Sequence, residues 1–227
     1  MMAFYAAVGR YRIKNENGHK VPYIQKLGKL YPISIPEFMI WSSLLWEVMT
    51  YPELEKQYQE TVQELNPKCP TFDDMLLKLK ERRLIMEGLG YTGLDALFNM
   101  LSDAFVVPYW VSLPRKVWTV FRLWLKGQIS IMDIFKILKE RNASEDEDRV
   151  IRLVEQTPLS TAELIRCFDR DIYDVSSAEK VIAGIYPDEE SDQCHIANEE
   201  RTSKHARKVL QAVANLYLNR KIVLEVV

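Results

Sequence analysis

The sequence predicts an α+β fold, mainly helical with small β-hairpins, arranged as two units joined by a helical connector. Three observations lead there. Apolar residues recur at helical spacing through most of the chain, short β-prone runs end in turn residues, and the second half repeats the order of the first. The composition is that of a folded protein: 227 residues, 48% hydrophobic and 27% charged, with only 8 Gly and 10 Pro.

The elements follow in order. Asn17-Gly18, between RYRIK and HKVPYIQKL, predicts a β-hairpin in the first 35 residues, because that pair accepts the positive φ angles of a tight turn. Pro36 opens a helix over 37–49 with Phe38, Trp41, Leu45, Val48 and Met49 inward. Thr50 and Glu53 have capping-box spacing and start a helix over 51–65, whose Leu54, Tyr58, Val62 and Leu65 share a face before the Asn66-Pro67 stop. Thr71 starts a third helix to Arg83, with Asp73 and Asp74 in its first turn, Arg82 and Arg83 in its last, and Phe72, Met75, Leu76, Leu79 and Leu77 as its apolar residues. A strand over 84–87, turn glycines at Gly88, Gly90 and Gly93, a helix near 94–102 and the β-prone AFVVPYW close the first unit at residue 108.

The connector, 109–147, carries Trp110, Trp118, Phe121 and Trp124. That stripe suits either the core between the units or a homodimer interface. The polar stretch 142–148 is a solvated boundary or a helix N-terminus. The second unit, 148–227, predicts helices over 148–156, 161–168 and 203–219 and a strand over 222–226. Against the first unit it inserts about 35 residues, including the helical SSAEKVIAGIY and the acidic PDEESDQCHIANEE. Two alignments support the repeat. Thr50 to Leu54 lies over Ser160 to Leu164, pairing Glu53 with Glu163 and Tyr58 with Phe168, and RRLIME at 82–87 lies over RKIVLE at 220–225.

Several function classes are disfavoured. A net charge of −2 gives the whole chain no pull toward polyanions, so any positive surface must be local. Residues 171–200 hold nine acids and one lysine, whereas 201–227 hold six Lys or Arg and one acid. Three scattered cysteines, Cys69, Cys167 and Cys194, without a C-x-x-C pair, suggest neither a disulfide framework nor a zinc site and suit a reducing cytoplasm. The start MMAFYAAVGRYRIK lacks a basic leader, and no run has the roughly 18 apolar residues of a membrane span. His19, His195 and His205 have no metal-ligand spacing, Cys194-His195 reads as an incidental loop, and phosphate-binding and nucleophile-elbow motifs are missing from the sequence. The expectation is no enzyme, no cofactor and no metal.

Three helices followed by a strand, twice, resemble the winged helix-turn-helix superfamily, the fold of many bacterial transcriptional regulators. The resemblance covers 37–87 in one copy and 148–156, 161–168, 203–219 and 222–226 in the other. It implies two winged-helix-like domains, with double-stranded DNA as partner and transcription regulation as role. In that superfamily the third helix enters the major groove and the following hairpin touches the backbone. Carried over residue by residue, Lys204, His205, Arg207, Lys208 and Gln211 cluster where such a helix meets bases, and Arg220 and Lys221 lie where phosphate would be held. In the first copy Lys78, Lys80, Arg82 and Arg83 are the corresponding backbone contacts, although Arg82 and Arg83 equally suit dipole compensation. Two departures stand out. Asp73 and Asp74 would face phosphates badly, and in the second copy no return strand follows 222–226 to complete a wing. The bland reading of Lys204 to Lys208 is a solvated helix face. The alternative function is a protein-interaction adaptor on the same scaffold.

Overall fold

The computed structural model describes residues 1–16, 18–65, 70–109, 144–186, 196 and 200–227. Trp110, Trp118, Phe121 and Trp124, the Asn66-Pro67 stop, Cys69, Cys194 and His195 lie outside the described residues, as do the side chains of Val62 and Leu65. The fold is mixed α and β.

Strand β1 (Met2–Ala7) opens the chain and runs into a ribbon of three strands, β2 (Arg10–Glu16), β3 (His19–Lys26) and β4 (Lys29–Pro32). A hairpin joins β2 to β3 where the sequence predicts one, with Glu16 opposite His19 and Gly18 at φ 81°. A second two-residue turn joins β3 to β4. Leu27 (φ 46°) and Gly28 (φ 77°) both take positive φ, the geometry that matches the twist of a tight hairpin. Leu27 is not a turn-former by type, and its N–H is held by the Glu225 carboxylate at 2.8 Å.

Helix α1 (Ile35–Leu44) begins under a Ser34–Glu37 capping box and stops at Leu44, short of the expected Met49, because the chain breaks at Trp46 (φ 62°). Met49 instead falls in the two-residue strand β5 (Met49–Thr50). Helix α2 (Tyr51–Leu65) starts where Thr50 donates its amide and hydroxyl to the Glu53 carboxylate. Helix α3 (Phe72–Glu81) is capped by Thr71 and buries Phe72, Met75, Leu76 and Leu79; Leu77, expected inside, is exposed on its far side. Strand β6 (Ile85–Gly90) follows, then α4 (Gly93–Leu101). Gly88 and Gly90 lie in β6 and not in turns. A Cβ on Gly88 would sit 2.1 Å from the Ala96 carbonyl oxygen, so glycine is what lets α4 lie on the strand.

Strand β7 (Phe105–Pro108) was expected to close the first unit. It is the centre of the second sheet. Helix α5 (Glu145–Gln156), capped by Ser144, turns the acidic stretch into a helix N-terminus. Strand β8 (Leu159–Ser160), α6 (Thr161–Asp169), α7 (Ala178–Ile185), α8 (Ala206–Leu218) and β9 (Ile222–Glu225) complete the chain.

The two halves share one register. In the first sheet, ordered β5-β1-β6, Phe4 faces Thr50 and Ala7 faces Ile85. In the second, ordered β8-β7-β9, Phe105 faces Ser160 and Pro108 faces Ile222. The helix ends match as well: Arg83 (φ 51°) and Arg220 (φ 61°) are the left-handed residues after α3 and α8, with the same flanking backbone bonds. The equivalent of Arg220 is therefore Arg83, which moves the alignment of RRLIME on RKIVLE by one residue. The return strand missing after β9 is supplied by β7 from earlier in the chain, as β1 supplies it to β6.

Strand β1 separates two cores. Tyr5 and Ala7 face a core formed with α1, α2 and α3, and Ala6 and Val8 face a larger one formed with α4 and the second half. The halves are also bonded directly: the buried Tyr217 hydroxyl donates to the Leu44 carbonyl (2.8 Å), and the Gly9 N–H donates to Leu224 (2.8 Å).

Candidate nucleic-acid interface

Helix α8 buries Ala206, Val209, Leu210, Ala212, Val213, Leu216 and Tyr217, which fixes its other side outward. The helix starts at Ala206, later than the expected residue 203, so Lys204 stands exposed in the turn before it, while Arg207, Lys208 and Gln211 stand exposed on it at spacings of three and four and form one stripe. None of the four has a hydrogen bond or ion pair to another described residue, so their donors are open to a ligand.

His205 differs. Its ring packs on Phe168 and its Nδ1 lies 2.8 Å from the Asp169 carboxylate, so it faces the protein and not the stripe. It belongs to a polar cluster, buried at Arg166 and Glu200 and more open at Asp169 and His205, that seats the start of α8. Arg166, 3% exposed, donates to the Glu200 carboxylate (2.9 Å) and the Ile185 carbonyl (2.9 Å). Burial and the neighbouring Asp169 push the Glu200 carboxyl up, against the pull of Arg166. Burial would raise Asp169 too, but bonds from Ser203, Glu200 and His205 hold it below the usual carboxylate range.

Arg220 sits over the Trp46 ring, 5.3 Å from its centroid, with its side chain exposed. Lys221 is half-buried, and its carbonyl accepts from the Tyr109 N–H (2.8 Å). Three of the four candidate basic residues of the first copy are occupied within the protein. Lys80 pairs with Glu87 at 2.5 Å, Arg82 bonds the Glu37 carboxylate and the Pro32 carbonyl (2.7 Å), and Arg83 donates to the Val227 carbonyl. Lys78 is exposed, but it shares its face with Asp73, Asp74 and Glu81.

No protein-family model matches the chain, and no curated protein or solved structure matches it either.

Sequence reasoning missed the basic character of the ribbon. Residues 10–29 hold six Lys or Arg and a single acid, Glu16, a bias that counting the segment alone would have revealed. Cys167 is buried, and burial, reinforced by the nearby Glu163, pushes its thiol up to about 12, which removes the thiolate a nucleophile needs. Among the described residues no group of His, Cys, Asp and Glu could hold a metal ion, and no described helix is long and apolar enough to cross a membrane.

Proposed function

We propose that this chain binds double-stranded DNA, as a transcriptional regulator does, through two winged-helix-like units of which the second carries the contact. The observation that carries this reading is the exposed cluster of Lys204, Arg207, Lys208 and Gln211 at the start of α8, with Arg220 beyond its end. Lys and Arg can meet phosphates or guanine edges, and Gln can meet adenine. A strand order with the last strand beside a central one fits a winged helix whose wing strand precedes the helices. The cluster around Asp169 and Glu200 serves as the seat of the helix and not as its reading surface.

One observation favours a second reading, a protein-interaction adaptor. In the first unit the outer face of α3 offers Asp73, Asp74 and Glu81, and Tyr91 near the end of β6 is 90% exposed. Such a face suits a protein partner better than a phosphate backbone.

The test is binding of the purified chain to mixed duplex fragments at about 50 and 200 mM salt, beside Lys204→Ala/Arg207→Ala/Lys208→Ala. Each lost phosphate contact flattens the log–log salt slope by about 0.9, so the variant should lose about 40-fold less affinity over that range while binding more weakly at low salt. Absence of wild-type binding at low salt would sink the DNA reading and leave the adaptor.

A further inference from the structure

The β2–β3 ribbon is the second positively charged feature, and its construction is unlike that of a surface that merely keeps a protein soluble. Alternation along β2 puts Arg10, Arg12 and Lys14 on one face, two residues or roughly 6.7 Å apart. Across from them on the same face stand Gln25, Tyr23 and Val21. The one acid there, Glu16, is held by the Tyr23 hydroxyl at 2.6 Å. Arg12 and Lys14 are exposed. Arg12 is steadied by Gln25 (2.9 Å), and Lys14 stands over the Tyr23 ring, 5.5 Å from its centroid. Surfaces that only confer solubility mix both signs, whereas this one is almost wholly cationic.

The ribbon is also rigidly mounted. At its base the Gly9 N–H bonds Leu224, the Leu27 N–H bonds Glu225, and the Arg10 guanidinium reaches the Pro108 carbonyl (3.3 Å) and packs on Tyr109 (6.0 Å). Leu224 and Glu225 belong to β9, the strand into which α8 runs. Beyond Pro22 the ribbon is two-stranded, a shape that a DNA groove admits. A surface already ordered loses little freedom on binding.

We propose that the Arg12–Lys14 face of this ribbon is a second contact to duplex DNA, gripping phosphates on the same body that carries α8. The inference rests on the DNA reading above and adds a contact that the third helices do not supply.

Its test is the salt slope for duplex binding of Arg12→Ala/Lys14→Ala. Lys56→Ala/Lys180→Ala removes the same charge from α2 and α7 as a control, and thermal melting verifies that both variants fold. The ribbon variant should flatten the slope by about 1.8, which shrinks the loss between about 50 and 200 mM salt roughly tenfold, while the control keeps the wild-type slope. If wild type binds and the ribbon variant keeps its slope, the ribbon contact is refuted and its cations only guard an exposed edge strand, with the DNA reading intact. An equal flattening in the control refutes the ribbon as a specific contact. If wild type does not bind at all, both readings fall together.

Discussion

Helices α3 and α8 occupy the same place in two copies of one scaffold and present opposite surfaces. The four buried residues of α3 each have a buried counterpart in α8, Phe72 with Val209, Met75 with Ala212, Leu76 with Val213 and Leu79 with Leu216, while α8 also buries Leu210 and Tyr217, at the positions of Asp73 and Lys80. Their outward residues do not correspond. α3 shows Asp73, Asp74 and Glu81 around Lys78, and α8 shows Arg207, Lys208 and Gln211. The apolar half of each helix is constrained by close packing, which leaves the solvent half free to diverge. A repeated fold therefore does not imply a repeated function, and here charge, not topology, separates the two halves.

The strongest way to break the equivalence of the scaffolds is to cut the same hole in both. Leu79 and Leu216 are each 0% exposed, so Leu79→Ala and Leu216→Ala should each destabilise by about 2–5 kcal/mol in urea denaturation. A loss in one copy less than half that in the other would show that the copies are packed differently. The divergence of the surfaces is sharpened by a single charge reversal in each helix. Lys208→Glu should weaken duplex binding by about tenfold or more at low salt, and Lys78→Glu by less than about threefold, read by fluorescence anisotropy. Equal effects would mean that both helices face the DNA. The smallest effect concerns pH. Burial alone would raise Glu37, but the Ser34 hydroxyl and amide and the Arg82 guanidinium hold its carboxyl below the usual range. A depressed folded pKa gives stability that is present above the unfolded value, about 4.3, and is lost as pH falls through the folded one. Glu37→Gln should therefore flatten the acid side of the stability curve without moving its shape at neutral pH.

What could be read in advance was local. The β2–β3 hairpin, the caps at Thr50, Thr71 and Ser160, and four of the five apolar residues assigned to the inner face of α3 all depend on residues within a turn of each other. The Thr50–Ser160 equivalence survived into the sheet registers for the same reason. What could not be read was pairing at a distance. Nothing within AFVVP says that it will centre a sheet whose other strands lie at 159–160 and 222–225. Likewise RRLIME and RKIVLE match best as strings one residue away from their structural match, which is set by the left-handed residue after each helix. At the candidate site the basic run over 204–211 was legible as a charge cluster at the start of a helix. The inward turn of His205 was not, because Phe168 and Asp169 approach it from α6, more than thirty residues earlier in the chain. The tethering of Lys80, Arg82 and Arg83 was hidden similarly, since Glu37 and Pro32 meet Arg82 only in three dimensions.

Placing the central strand first has a consequence for biosynthesis. As the chain emerges from the ribosome, β7 is exposed long before β9, and it stays without its longer neighbour while more than a hundred residues are made. Closing so long a loop is entropically slow, and an unpaired strand edge invites association with other chains in the meantime. The first sheet is complete once β6 has been made, well ahead of the second. The protein should thus mature in two stages, the N-terminal sheet early and the α8 surface last, so that a half-made chain carries no finished α8 surface.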